Sequence, residues 1–105
     1  MKIKRKRYIV LEIDKVVDRE TFHKILIDNI LFLVGILGLS LALPSIVYLK
    51  NKLVVVRTSL QGLEIIRGVL ALKDDLNGYK VRIIKVTGSF KKAKSICDSY
   101  KIDTI

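Results

Sequence analysis

Lys91, Lys92 and Lys94 follow the turn Thr87-Gly88-Ser89, and no acid intervenes before Asp98. Between Leu76 and Cys97 the chain has no Asp or Glu at all, while Lys80, Arg82 and Lys85 add cations just ahead of the turn. A strand that turns through glycine into a helix presents free backbone N–H groups and the positive end of the helix dipole, both of which favour an anion. Lysines in the next turn add point charges. The chemistry on offer is binding of phosphate or a similar anion, with Thr87, Gly88 and Ser89 as the candidate anion-binding turn. A solvated lysine-rich helix is the plainer reading of the same residues.

A second cationic block, Lys2, Lys4, Arg5, Lys6 and Arg7, precedes the first strand. The whole chain carries 20 Lys and Arg against 10 Asp and Glu, a formal charge of +10 on 105 residues. Between the two blocks acids and bases are roughly matched, so the excess is segregated. Segregation favours a polyanion-binding face over uniform solubilising charge. Catalytic parts are missing: Cys97 and His23 are single and far apart, which leaves no internal disulfide, no cysteine-based zinc site and no Cys/His pair. There is no H-E-x-x-H and no glycine-rich phosphate loop. Asp74-Asp75 beside Asn77-Gly78 fits a solvated turn better than a magnesium site, which gathers several convergent carboxylates.

These residues must be positioned by strands and helices. Arg7 to Ile13 (RYIVLEI) has strand composition, and a helix is expected from about Asp18 to Leu37 on the stripe Phe22, Ile25, Leu26, Ile30, Leu33 and Leu37, with Gly35 and Gly38 weakening and ending it. Leu43–Leu49 and Leu53–Arg57, separated by Lys50-Asn51-Lys52, predict a hairpin. Thr58 or Ser59 can cap a second helix, with Leu60, Leu63, Ile66, Val69, Leu70 and Leu72 inward. Tyr79–Val86 predicts a fourth strand, with Arg82 and Lys85 on opposite faces if pairing is regular, and Ser89 to about Tyr100 a third helix. The order β-α-β-β-α-β-α implies one domain over 1–105, with a basic tail at 1–6. The fold class is α+β, a two-layer α/β sandwich of ferredoxin-like (RRM-like) topology with an extra C-terminal helix.

Two stretches bear on partners. Strand alternation puts Ile9, Leu11 and Ile13 on one face, and Tyr8, Val10 and Glu12 on the other, and strand 3 is apolar on both faces. Either the third helix covers the second face or a partner does, which makes Tyr8 and Val10 candidate protein contacts. Ile30–Leu43 is an apolar-to-small run of 14 residues, short of the roughly 20 that span a bilayer. Extending it takes in Asp28 and Asn29, and no signal-peptide cleavage pattern follows, so it is expected as buried helix plus loop. Leu31, Phe32, Val34 and Ile36 widen its apolar stripe and are expected to meet a protein partner. Strand 3 lacks the aromatics on which RNA-recognition modules stack bases, so backbone recognition is the expected mode.

Three stretches, RYIVLEI, VVVRTSLQGLEIIRGVLAL and NGYKVRIIKVTGSFKKAK, together resemble archaeal ribonuclease P protein component 2, the relative of the eukaryotic Pop-five subunit. The pattern is an aromatic-initiated strand after basic residues (Arg7-Tyr8), a strand-end arginine before a helix with an internal one (Arg57, Arg67), and V-x-G-[ST]-hydrophobe-K-K (Val86 to Lys92). The resemblance is weakest over Leu39–Leu49. It implies a noncatalytic, cytoplasmic subunit that supports the catalytic domain of ribonuclease P RNA during 5′-leader removal from precursor tRNA. Magnesium would sit on the RNA, and the protein itself would bind no cofactor. Implied partners are that RNA, protein component 3, precursor tRNA indirectly, and a second copy through a heterotetramer with component 3; a membrane is not among them, although the residues by themselves also fit a generic ribosomal-protein-like binder of structured RNA or a small membrane-associated protein. The expected RNA contacts are Lys4, Arg5, Lys6, Arg7, Arg57, Lys91, Lys92 and Lys94.

Overall fold

A computed structural model describes residues 6–73 and 75–100. Its elements are β1 (Lys6–Ile13), α1 (Arg19–Ala42), β2 (Ser45–Lys50), β3 (Leu53–Ser59), α2 (Leu60–Leu72), β4 (Val81–Thr87) and α3 (Phe90–Ser99). The sheet order is β2-β3-β1-β4 with every pairing antiparallel, the ferredoxin-like arrangement with an added C-terminal helix.

Period-2 alternation in the central strands builds two cores. Ile9, Leu11, Ile13, Val54 and Val56 face α1 and α2, where they meet Phe22, Leu26, Ile30 and Ile66. Val10, Leu53 and Val55 face the other way and are closed off by Ala93 and Cys97 of α3. The second face is thus covered by the third helix. Val10 is fully buried under it, so the expectation that Val10 meets another protein is corrected. Tyr8, at the edge of that cover, is half-buried beside Phe90.

The pairing of β1 with β4 slips by one residue between Val10 and Leu11. Regular pairing would put Arg82 and Lys85 on opposite faces. The slip instead sets Arg82 against Glu12 and Lys85 against Val10, both α3-facing positions of β1.

α1 departs most from expectation. Asp18 caps it by accepting from the Thr21 N–H at 3.2 Å, and hydrogen bonding by Thr21, its side chain first and its backbone second, holds the carboxyl below its usual range. Instead of stopping near Leu37, the helix breaks at Gly35 (φ 72°, ψ −172°) and resumes as far as Ala42. That conformation belongs essentially to glycine. Gly38 does not terminate the helix; a Cβ there would collide with Val34, so it allows close packing across the break. The chain leaves through Leu43 (φ 37°), whose N–H donates to Leu39 O at 2.9 Å. Nor is the run buried: Phe32 (78%), Ile36 (77%) and Leu37 (82%) are largely exposed, and Leu31, Val34, Leu41 and Leu43 are exposed too.

The end of α1 is tied to the start of α2. Thr58 Oγ1 donates to Ala42 O, and Ser59 Oγ donates to Leu41 O at 2.7 Å while accepting from Gly62 N at 2.9 Å. These bonds satisfy carbonyls that a helix end leaves open. In α2 the buried stripe is Gly62, Leu63, Ile66 and Val69. Leu60 and Leu72, expected inward, are exposed, because 3.6 residues per turn carries both well off that stripe. Buried Asn29 links the far end of this layer. Its Nδ2 donates to Ile25 O at 2.7 Å, and its Oδ1 accepts from Lys73 Nζ at 2.7 Å. Beyond α2, Leu76 and Tyr79 bridge across Asn77 (φ 52°) and Gly78 (φ 91°), so Tyr79 belongs to this small turn rather than to β4.

A Cβ on Gly62 would overlap Thr58 Oγ1 and stand 2.9 Å from Ala42 Cα. Gly62→Ala is therefore expected to lower unfolding free energy by about 1–3 kcal/mol, despite alanine's better helix propensity. Urea denaturation checks this, and an unchanged or higher midpoint would show that the α1–α2 junction relaxes freely.

Candidate nucleic-acid interface

α3 begins where β4 ends, and its capping is local. Ser89 Oγ accepts from Lys92 N at 3.4 Å, and Thr87 Oγ1 accepts from Ser89 N at 3.2 Å. Two of the amides expected to greet an anion are thus satisfied inside the turn. Helix geometry leaves the Phe90 and Lys91 amides without intrahelical acceptors. Arg7 supplies a full charge beside Gly88 of the turn. Its Nη1 lies 3.7 Å from where a Cβ on Gly88 would stand, and it also donates to Lys6 O at 3.1 Å.

Register explains how distant residues meet. One row crosses all four strands as Ser45, Arg57, Tyr8 and Thr87. Arg57 and Tyr8 occupy α3-facing positions in that row, at the end of the sheet where α3 starts, and Arg57 is exposed. Lys6 is exposed two residues before Tyr8. Lys91, Lys92 and Lys94 are exposed on α3, with Lys94 Nζ 5.7 Å from the Tyr48 ring centroid. The structure therefore gathers Lys6, Arg7, Arg57, Thr87, Gly88, Ser89, Lys91, Lys92 and Lys94 at one end. Lys4 and Arg5 lie outside the described residues. Arg67 is on α2, in the opposite layer, 3.6 Å from Glu64.

The other end of α3 is neutralised, which sequence reasoning missed. Tyr48 OH donates to Asp98 Oδ1 at 2.7 Å, and Lys50 Nζ approaches the same oxygen at 3.3 Å. The tyrosine bond holds Asp98 below the usual carboxylate range and raises the Tyr48 hydroxyl. Across the helix Arg82 pairs with Glu12 and donates to Tyr100 OH at 3.0 Å. These contacts join residues far apart in sequence, and no spacing rule reveals them. Cys97, buried between them, has its thiol pushed up by desolvation, which argues against a nucleophilic role.

Because Asp98 is depressed, its contribution is present above the ordinary carboxylate value of 3.8 and fades as pH falls through its lower folded value. At neutral pH, Tyr48→Phe removes the bond while keeping the Asp98 charge. It should loosen α3 and speed Cys97 modification by a disulfide reagent up to about fivefold, the range of an exposed polar contact. An unchanged rate would mean that apolar packing alone holds the helix.

A family model described as the Rpp14/Pop5 family matches residues 7–97, spanning β1 through most of α3. The chain is similar to a chain in the cryo-EM structure of yeast ribonuclease MRP, with 18% identity, a TM-score of 0.66, and coverage of 85% of this chain and 78% of that one. At this identity the likeness is one of fold. No curated protein matches the chain. The fold, and a family match that takes in β1, the sheet and the Thr87–Ser89 turn alike, place the chain in the Rpp14/Pop5 family.

Proposed function

We propose that this chain is a noncatalytic protein subunit of a ribonuclease P or MRP ribonucleoprotein that grips the RNA through backbone phosphates. The observation that carries this is the gathering of Lys6, Arg7, Arg57, Lys91, Lys92 and Lys94 at one end of a fold belonging to the Rpp14/Pop5 family. In ribonuclease P the consequence is support of the RNA's catalytic domain while it removes the 5′ leader of precursor tRNA. Hydrolysis falls to the RNA and its magnesium; this chain contributes charge that lets phosphates approach one another.

The exposed second half of α1 is proposed as the protein contact. Leu31, Phe32, Val34 and Ile36, continued by Leu37, Leu41 and Leu43, are too large an apolar surface to leave wet. Protein component 3 and a second copy of this chain are the proposed occupants. One observation favours a membrane instead: α1, at 24 residues, is long and apolar enough to cross a bilayer. Against it, Phe22, Ile25, Leu26 and Ile30 are built into the core and would have to leave it. Co-sedimentation with lipid vesicles separates the two.

Reconstituted precursor-tRNA cleavage, with and without the chain, tests the assignment. Adding the chain should raise the rate or lower the magnesium requirement; an effect on neither defeats the proposal. At the level of residues, Lys91→Ala with Lys92→Ala should reduce the slope of log affinity against log salt by up to about 2 units. An unchanged slope would return α3 to an ordinary solvated helix.

A further inference from the structure

We propose that Phe90 is a stacking platform for one unpaired nucleobase of the bound RNA, a contact beyond the phosphate grip and resting on that reading of the site. Phe90 is the first residue of α3, directly after the Thr87–Ser89 turn, and is 38% exposed. Its ring centroid lies 5.9 Å from Tyr8 at an interplanar angle of 52°, and 6.4 Å from Tyr48 at 79°. Both contacts are tilted or edge-on. They brace the ring without stacking parallel to it.

Cations surround this trio. Arg57 is paired with Tyr8 in the sheet, Lys94 Nζ lies over the Tyr48 ring, and Lys91 follows Phe90 in the chain. On the far side are the turn and the Arg7 guanidinium beside Gly88. Charges that track a backbone, interrupted by an aromatic ring, are the arrangement by which proteins hold unpaired nucleotides: rings take bases while cations take the flanking phosphates. A duplex offers no free base face to a ring of this kind, so the occupant is a bulged or single-stranded residue. The mode differs from base stacking on central strands. Here α3 seals Val10 and Val55, and the ring comes from the helix itself.

The test uses the full chain and two RNA hairpins, one with a single bulged 2-aminopurine and one with that residue paired. Wild type should bind the bulged hairpin more tightly and change its 2-aminopurine fluorescence. Phe90→Leu keeps an apolar contact with Tyr8 and Tyr48 but offers no aromatic face. It should lose about fivefold or more in affinity for the bulged hairpin, with the salt slope unchanged, while Phe90→Trp retains both affinity and signal. Equal binding of the bulged hairpin by Phe90→Leu and wild type overturns the platform alone, as does an equal loss on both hairpins. Failure of wild type to bind either hairpin overturns the RNA-binding reading beneath it.

Discussion

The central strands are apolar on both faces, and the rest of the structure follows from that constraint. Antiparallel sheets commonly leave one face wet, but Val10, Leu53 and Val55 oppose Ile9, Leu11, Val54 and Val56, and all are essentially buried. Burying each such side chain contributes about 1.5–3 kcal/mol, so neither face can stay open. α1 and α2 close one side with a thick layer. α3 closes the other with two small residues, Ala93 and Cys97, backed by Ile96 and Tyr100. So thin a dock is supplemented by polar contacts, Tyr48 and Lys50 to Asp98 on one flank and Arg82 to Glu12 and Tyr100 on the other.

Those contacts also polarise the surface. Their acids sit toward the C-terminal half of α3, where they neutralise Lys50 and Arg82. Toward the N-terminal end, Arg7, Arg57, Lys91 and Lys92 form no ion pair among the described residues, while Lys94 also acts on Asp98. Arg57 is brought there by the antiparallel row that joins it to Tyr8 and Thr87. Lys6 and Arg7 thus lie at the same end as Lys91 and Lys92, some eighty residues on in the chain, an arrangement that on the proposed reading would draw a polyanion to that end. Capping within the turn occupies the Ser89 and Lys92 amides, so the proposed anion site rests more on side-chain cations than on the backbone.

Much of this was legible in the residues. RYIVLEI and the valine run of β3 gave their two faces by alternation, and the element order gave the topology. Alternation says that a face is covered, not by what, so α3 and a partner were equally compatible with Val10. Glycine spacing misplaced the end of α1, because Gly35 allows a break and Gly38 a close approach, and neither of these is a stop. The β1–β4 slip reversed the expected relation of Arg82 and Lys85. Phe90 passed as one apolar residue among many until the fold set it between Tyr8 and Tyr48.

The central claim is that the N-terminal end of α3, with the start of β1, is the surface that meets RNA. Amide hydrogen exchange of the chain, free and bound to ribonuclease P RNA, addresses it directly. Slowed exchange is expected in peptides covering Arg7–Val10 and Val86–Lys94, with little change in the exposed flank of α2 around Glu64 and Arg67. Protection of α2 with none at Val86–Lys94 would contradict the claim.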